Sequence, residues 1–109
     1  MAYNESLAQV IRERTAGTEN LVEKKMFGGL AFLLNGNMSV GVHKDSLIVR
    51  VDKTDHEKLL AEPHVKEFDI TGRTMKGWLM VLPEAHSDEK VLKQWINRGI
   101  EFAGTLPKK

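Results

Sequence analysis

The dipeptide Asn35-Gly36 is the feature of this sequence that most constrains its fold. Both residue types tolerate a positive φ, which the two central positions of a type I′ turn require. β-prone apolar residues precede the dipeptide over residues 30–34 and follow it over residues 38–42. The dipeptide therefore predicts a β-hairpin, and its position sets which residues of the two strands lie opposite each other.

Alternating apolar residues predict further strands on both sides of this hairpin. With the hairpin included, the predicted strands cover residues 30–34, 38–42, 47–51, 65–70 and 78–82. Gly28-Gly29 interrupts the apolar stretch that begins at Leu21, so this stretch predicts either one long, bent strand or two short ones.

Three helices are predicted from capping residues that precede apolar residues at helical spacing. Asn4 begins the first helix, Thr54 begins a short second helix, and Ser87 begins the third. The apolar stripe of the third helix consists of Val91, Leu92, Trp95, Ile96, Gly99, Phe102 and Ala103.

The order of these elements is α-β-β-β-α-β-β-α, and the short connections favour antiparallel pairing of neighbouring strands. We therefore expect residues 1–109 to form a single α+β domain. In this two-layer sandwich an antiparallel sheet carries the helices mainly on one face.

Strand alternation also predicts which side chains face the helices. We assign to the helix face Phe32, Leu47, Val49, Val51, Phe68, Ile70, Trp78, Met80 and Leu82. The opposite face then carries an apolar strip of Ala31, Leu33, Ile48, Leu79 and Val81. An exposed apolar strip usually marks an interface. We therefore expect a homodimer, the alternative being that the first or last helix covers this face.

Composition and missing motifs argue against several classes of function. The chain has no cysteine, no secretory signal, and no apolar run near the roughly 20 residues of a membrane-spanning helix, so we expect a cytoplasmic protein. Its formal charge of +1 disfavours direct binding of nucleic acid. The nucleophile-elbow, P-loop and dinucleotide motifs are absent, and the four histidines lack metal-ligand spacing. We expect no catalytic residue, no cofactor and no metal.

The segment Met26, Phe27, Gly28 and Gly29 is the first candidate interaction surface. Two glycines within a strand indicate a bulge, a sharp bend or the close approach of another backbone. They can therefore be purely structural. Alternatively, their missing side chains open a shallow groove for a partner.

The second candidate surface comprises Arg73, Met75, Lys76 and Trp78. Cations beside a large aromatic ring can bind phosphates or stack on a base. Trp78 also begins an apolar strand, so the alternative is that it belongs to the core.

Taken in order, residues 26–29, the turn at residues 35–36 and residues 73–78 resemble the N-terminal domain of the TfoX/Sxy family of bacterial competence regulators. The resemblance extends to residues 62–65 and to the helix that contains Trp95. It implies the same element order and a fold similar to the secretion-chaperone-like sandwiches. It also implies a role in natural transformation, exerted together with a cyclic-AMP-responsive transcription activator. Longer members carry a further helical domain after this one.

We therefore expect a non-enzymatic, cytoplasmic regulatory or protein-interaction domain. Its expected partners are a second copy of the chain and a transcription regulator or other protein, with no membrane association. The alternative is a small-ligand or nucleic-acid binding module that uses the basic and aromatic residues from Arg73 to Trp78.

Overall fold

The Asn35-Gly36 turn is present in the computed structural model, which describes residues 3–26, 28–68 and 76–108. Asn35 has a φ of 53° and Gly36 a φ of 84°, as a type I′ turn requires. Leu34 pairs with Asn37 across the turn, so the loop contains two residues. The predicted hairpin is confirmed.

The described elements form an antiparallel sheet with helices, which confirms the predicted α+β fold. In chain order they are α1 (Glu5–Arg14), β1 (Leu21–Met26), β2 (Gly29–Leu34), β3 (Asn37–His43), β4 (Ser46–Arg50), a 3-10 turn (Lys53–Asp55), α2 (His56–Leu60), β5 (Val65–Glu67), β6 (Trp78–Val81), α3 (Pro83–His86) and α4 (Glu89–Gly104). The strands lie in the order β1-β2-β3-β4-β6-β5, and every neighbouring pair is antiparallel. Compared with the predicted order, the structure adds one strand before α2 and the short helix α3.

The additional strand arises because the stretch around Gly28-Gly29 forms two short strands. Met26 of β1 pairs with Gly29 of β2, and Gly28 has a φ of 72°. A positive φ is readily adopted by glycine and strains most other residues. Of the alternatives left by the sequence, the structure therefore has two strands joined by a sharp reversal.

One face of the sheet packs against α1 and α4 to form the main core. The buried residues of the two helices are Leu7, Ala8, Ile11, Leu92, Trp95, Ile96, Gly99 and Ala103. The strands contribute Leu30, Phe32, Val40, Val42, Leu47, Val49, Leu79 and Val81, and Val51 joins them just beyond β4. The predicted stripe of the last helix accounts for its buried face.

The predicted face assignment of β6 is wrong by one residue. Leu47 lies opposite Val81, and Val49 lies opposite Leu79. Directly opposed residues share a face of the sheet, so Leu79 and Val81 belong to the main core. A long connection separates β6 from β4 along the chain, and no tight turn in the sequence specifies their register.

The other face of the sheet carries a second apolar cluster. Its buried residues are Ala31, Met38, Ile48 and Phe68, and Leu33, Trp78 and Met80 pack against them. Phe68, Trp78 and Met80 therefore lie on the face opposite to the predicted one. Ile70, which was assigned with them, lies outside the described residues.

The predicted apolar strip is largely inaccessible. Ala31 and Ile48 are fully buried, Leu33 is half-buried, and two further members face the helices. Among the described residues, the large hydrophobic side chain that is exposed is Val22, at 61%. The strip thus gives no support for a homodimer, which stays a prediction.

The caps of two helical segments differ from those predicted. The side chain of Asn4 accepts a hydrogen bond from the Leu7 N–H at 3.1 Å, which confirms the first cap. Asp88 rather than Ser87 caps α4, and Asp52 rather than Thr54 caps the 3-10 turn before α2. Asp88 lies one residue after Ser87, and Asp52 lies two residues before Thr54; each carboxylate accepts from N–H groups two or three residues further along the chain.

Candidate functional site

The first candidate surface forms the reversal between β1 and β2. Gly28 is exposed and Gly29 is buried, while Phe27 lies outside the described residues, as does the side chain of Met26. An added Cβ on Gly28 would meet no atom within 4 Å, so space does not require glycine there. The positive φ of Gly28 does require glycine, which supports the structural interpretation of this residue.

The second candidate surface is described only in part. Lys76 is exposed, whereas Arg73 and Met75 lie outside the described residues. Trp78 is half-buried, and its ring centroid lies 6.2 Å from that of Phe68 at an interplanar angle of 34°. Trp78 thus belongs to the second apolar cluster and keeps one part of its ring accessible.

The described residues of these two surfaces lie apart in the sheet. β3 and β4 lie between β2 and β6, a separation of three strand spacings or about 14 Å. The two segments also lie at opposite ends of the sheet, because Met26 and Gly29 end β1 and begin β2 beside His43, whereas Trp78 begins β6 opposite Arg50. The described residues of the two surfaces therefore do not form one continuous contact patch.

Arg50, at the end of β4, lies over two aromatic rings. Its guanidinium carbon lies 5.1 Å from the centroid of the Trp78 ring and 5.8 Å from that of the Phe102 ring. Both distances fall within the roughly 6 Å limit of a cation–π interaction. Arg50 is half-buried, and the two rings that it contacts belong to β6 and α4.

A second arginine, Arg98, lies on α4, the helix that also carries Phe102. The guanidinium carbon of Arg98 lies 4.6 Å from the ring centroid of the buried Trp95. Phe102 follows Arg98 by four residues, so both project from the same face of the helix. We call Arg50, Trp78, Trp95, Arg98 and Phe102 the arginine–aromatic cluster.

The two arginines of the cluster have no ion pair and no hydrogen-bond acceptor among the residues that the structure describes. Arg12, in contrast, forms an ion pair with a carboxylate. Its Nε and Nη2 atoms donate to the two carboxylate oxygens of Glu23, each at 2.9 Å, and these bonds raise the pKa of Arg12. Arg50 and Arg98 keep their planar sets of N–H donors available.

A groove with a volume of about 520 Å³ opens beside the cluster, between α2 and the C-terminal half of α4. Its apolar lining residues are Val51, Leu59 and Phe102, and its charged ones are Asp52, Asp55, Lys58, Glu62, Arg98 and Glu101. Arg98 and Phe102 thus belong to the groove and to the cluster. The volume lies within the roughly 300–1,000 Å³ typical of ligand pockets.

Polar contacts hold the α2 wall of this groove. The Nδ1 atom of His56 accepts a hydrogen bond from the Gly77 N–H at 2.9 Å, and His56 is buried. The carbonyl oxygen of Gly77 in turn accepts one from the Val51 N–H at 2.8 Å. At the start of the wall, Asp52 accepts from the N–H and hydroxyl of Thr54, which lowers the pKa of Asp52.

These contacts define what the site can do chemically. A guanidinium held against aromatic rings can present its N–H edge to a planar oxyanion such as a carboxylate.

In residues 3–26, 28–68 and 76–108, no group of three His, Asp or Glu side chains could hold a metal ion. Within the same ranges, no helix is long and apolar enough to cross a bilayer.

The sequence does not identify Arg50, Arg98 or Phe102 as residues of a candidate site. The residues next to Trp78 in the sequence predict it as part of an interaction surface. Its contacts with the other residues of the cluster depend on the β4–β6 register and on where α4 crosses the sheet. A signal did exist in part, because Arg98 and Phe102 are four residues apart on a predicted helix. Nothing local connects either residue to Arg50.

The described fold and cluster define a small α+β domain with a cationic and aromatic surface beside a groove. The chain belongs to the TfoX N-terminal domain family, whose family model matches residues 13–103. Searches with the chain found no matching curated protein and no matching solved structure.

Proposed function

We propose that the chain is a non-enzymatic regulatory domain of the cytoplasm that acts by binding another protein through the arginine–aromatic cluster. Membership of the TfoX N-terminal domain family supports a role in competence regulation. The observation that carries the proposal is that the half-buried Arg50 lies over the rings of Trp78 and Phe102 without an ion pair in the described part of the chain. Arginine and tryptophan are the residue types most enriched at the energetic centres of protein interfaces.

The groove extends this surface. Its apolar floor can bury a partner side chain, and its charged rim can orient that side chain. A partner would therefore contact the chain from Arg98 on α4 to the C-cap residue Thr105, about 10 Å of helix at 1.5 Å per residue.

Site-specific photo-crosslinking in living cells tests this proposal. Benzoylphenylalanine placed at Glu62 or Glu101 would lie on the rim of the groove. The matched control is Glu84, which is exposed on α3 beyond the opposite end of β6. We expect the same protein to be crosslinked from both groove positions and not from the control.

Two results of this experiment distinguish the kinds of partner. A product of two copies of the chain would support the predicted homodimer, and a product with a transcription regulator would support a role in competence. Crosslinks that are absent from both groove positions, or equally strong from Glu84, would contradict the proposal.

A small-ligand binding module is the second candidate, because the volume of the groove fits that class. A thermal-shift screen of metabolites against the purified chain tests it. A ligand that raises Tm for the wild type and not for a Phe102→Ala variant would support this candidate. A screen in which no metabolite raises Tm would count against the small-ligand candidate.

A further inference from the structure

The guanidinium of Arg50, which forms no ion pair with the described residues, points to a specific chemical group on the partner. We propose that Arg50 binds the carboxylate of an acidic side chain of the partner protein, an inference that rests on the proposed protein-binding function. Arginine is seldom buried without a partner for its charge. Arg50 is half-buried, yet the described residues offer it aromatic rings and no carboxylate.

The geometry of the group fits a carboxylate. A guanidinium presents its N–H donors as a rigid, planar fork that matches the two oxygens of a carboxylate. The rings of Trp78 and Phe102 restrict the orientations of this fork. Pre-ordering of this kind lowers the entropy that is lost when the partner binds.

The groove beside Arg50, which Arg50 itself does not line, repels a phosphate more strongly than a single carboxylate. Four carboxylates, those of Asp52, Asp55, Glu62 and Glu101, and two cations, Lys58 and Arg98, line it, which gives a net charge of −2. A phosphorylated side chain carries about −1.5 to −2 charges and a nucleic acid presents many phosphates, so this rim repels both more strongly than one carboxylate.

The same rim predicts what flanks the acidic residue. Asp55, Glu62 and Glu101 form no ion pair with the described residues, so a lysine or arginine of the partner can pair with them. Val51 and Leu59 offer apolar contact for a neighbouring aliphatic side chain. The predicted partner segment thus contains an acidic, an apolar and a basic residue close together.

A purely structural role for Arg50 would be to cover the two rings with its aliphatic stem. Arg50→Met separates the two roles, because methionine keeps an apolar stem and removes the charge and the donors. Arg50→Lys keeps the charge and loses the planar fork. Arg14→Met is the matched control, since Arg14 is exposed on α1 and has no ion pair among the described residues.

Selection of phage-displayed random 12-residue peptides on the immobilised full chain tests the inference. We expect the selected peptides to share an Asp or Glu at a fixed position. Arg50→Met should weaken their binding by about tenfold to a hundredfold, as expected for a charge-assisted hydrogen-bonded pair. Arg50→Lys should cause a smaller loss, and Arg14→Met should bind like the wild type.

The possible outcomes separate this inference from the proposed function. Peptides that lack a shared acidic residue, or that bind Arg50→Met and wild type equally, would overturn the inference and leave the protein-binding proposal standing. Tighter binding of a phosphoserine version of the same peptides would also overturn it. A selection that returns no binding peptide on the wild type would contradict the proposed function and this inference with it. If circular dichroism shows that Arg50→Met is unfolded, peptide binding by Arg50→Lys is compared with that of the wild type. Equal binding by these two proteins would then overturn the inference.

Discussion

Gly99 in the middle of α4 provides the sharpest test of how the helix packs on the sheet. A Cβ built on Gly99 would lie 2.5 Å from the backbone oxygen of Ser39 and 2.5 Å from Cγ1 of Val40. Real Cβ atoms do not approach other heavy atoms this closely. Gly99→Ala should therefore push α4 away from β3.

Two opposing effects set how far Gly99→Ala changes the free energy of unfolding. Replacing a glycine by alanine within a helix favours folding by about 1 kcal/mol. Overpacking of a well-packed core costs roughly 1–3 kcal/mol, and the upper end applies because one clash is with backbone. The net expectation is a loss of about 2 kcal/mol in the free energy of unfolding, which lowers Tm by about 8 °C in a domain of this size.

The same helix supplies a matched control in Gly104. An added Cβ there would meet only Cδ2 of Leu34, at 3.7 Å, an ordinary van der Waals contact. Urea denaturation and thermal unfolding followed by circular dichroism should show Gly104→Ala within about 0.5 kcal/mol of the wild type. A Gly99→Ala variant as stable as the wild type would refute the close approach of α4 to β3.

Three further substitutions test local contacts. Asp88→Ala removes the cap of α4 and should lower the free energy of unfolding by about 1 kcal/mol; an unchanged urea midpoint would refute the cap. His56→Leu leaves the buried Gly77 N–H without its acceptor, at a cost of about 1–3 kcal/mol, and should speed amide exchange at Gly77; unchanged protection would argue against the contact. Asp52→Ala tests pH dependence. Because hydrogen bonds from Thr54 lower the pKa of Asp52, its stabilisation is present above the unfolded-state pKa of about 3.9 and is lost as pH falls through the lower folded-state pKa. The Tm difference between wild type and Asp52→Ala should therefore shrink in acid, and a difference that grew would contradict this sign.

Local signals in the sequence predicted much of the fold. Asn35-Gly36 specified its hairpin because few other residues tolerate two successive positive φ values. The Asn4 cap and the apolar stripe of α4 were also readable, since each depends on residues within a few positions of one another.

Features set by tertiary contacts could not be read in this way. The face of Trp78 depends on the pairing of β6 with β4, and these strands are joined by a connection without a tight turn. The contact between Arg50 and Phe102 joins two elements that are distant in the chain. The candidate site therefore depends on tertiary contacts, and Trp78 is its one member that the sequence predicted as part of an interaction surface.

The most direct test of the arginine–aromatic cluster is the affinity of the crosslinked partner for the wild-type chain and for Arg50→Met. Isothermal titration calorimetry in a single buffer measures both dissociation constants. A Kd that rises about tenfold to a hundredfold in the variant, with Tm within a few degrees of the wild type, is the expected result. A Kd that stays within about twofold in a folded Arg50→Met variant would show that the cluster is structural and that the partner binds elsewhere.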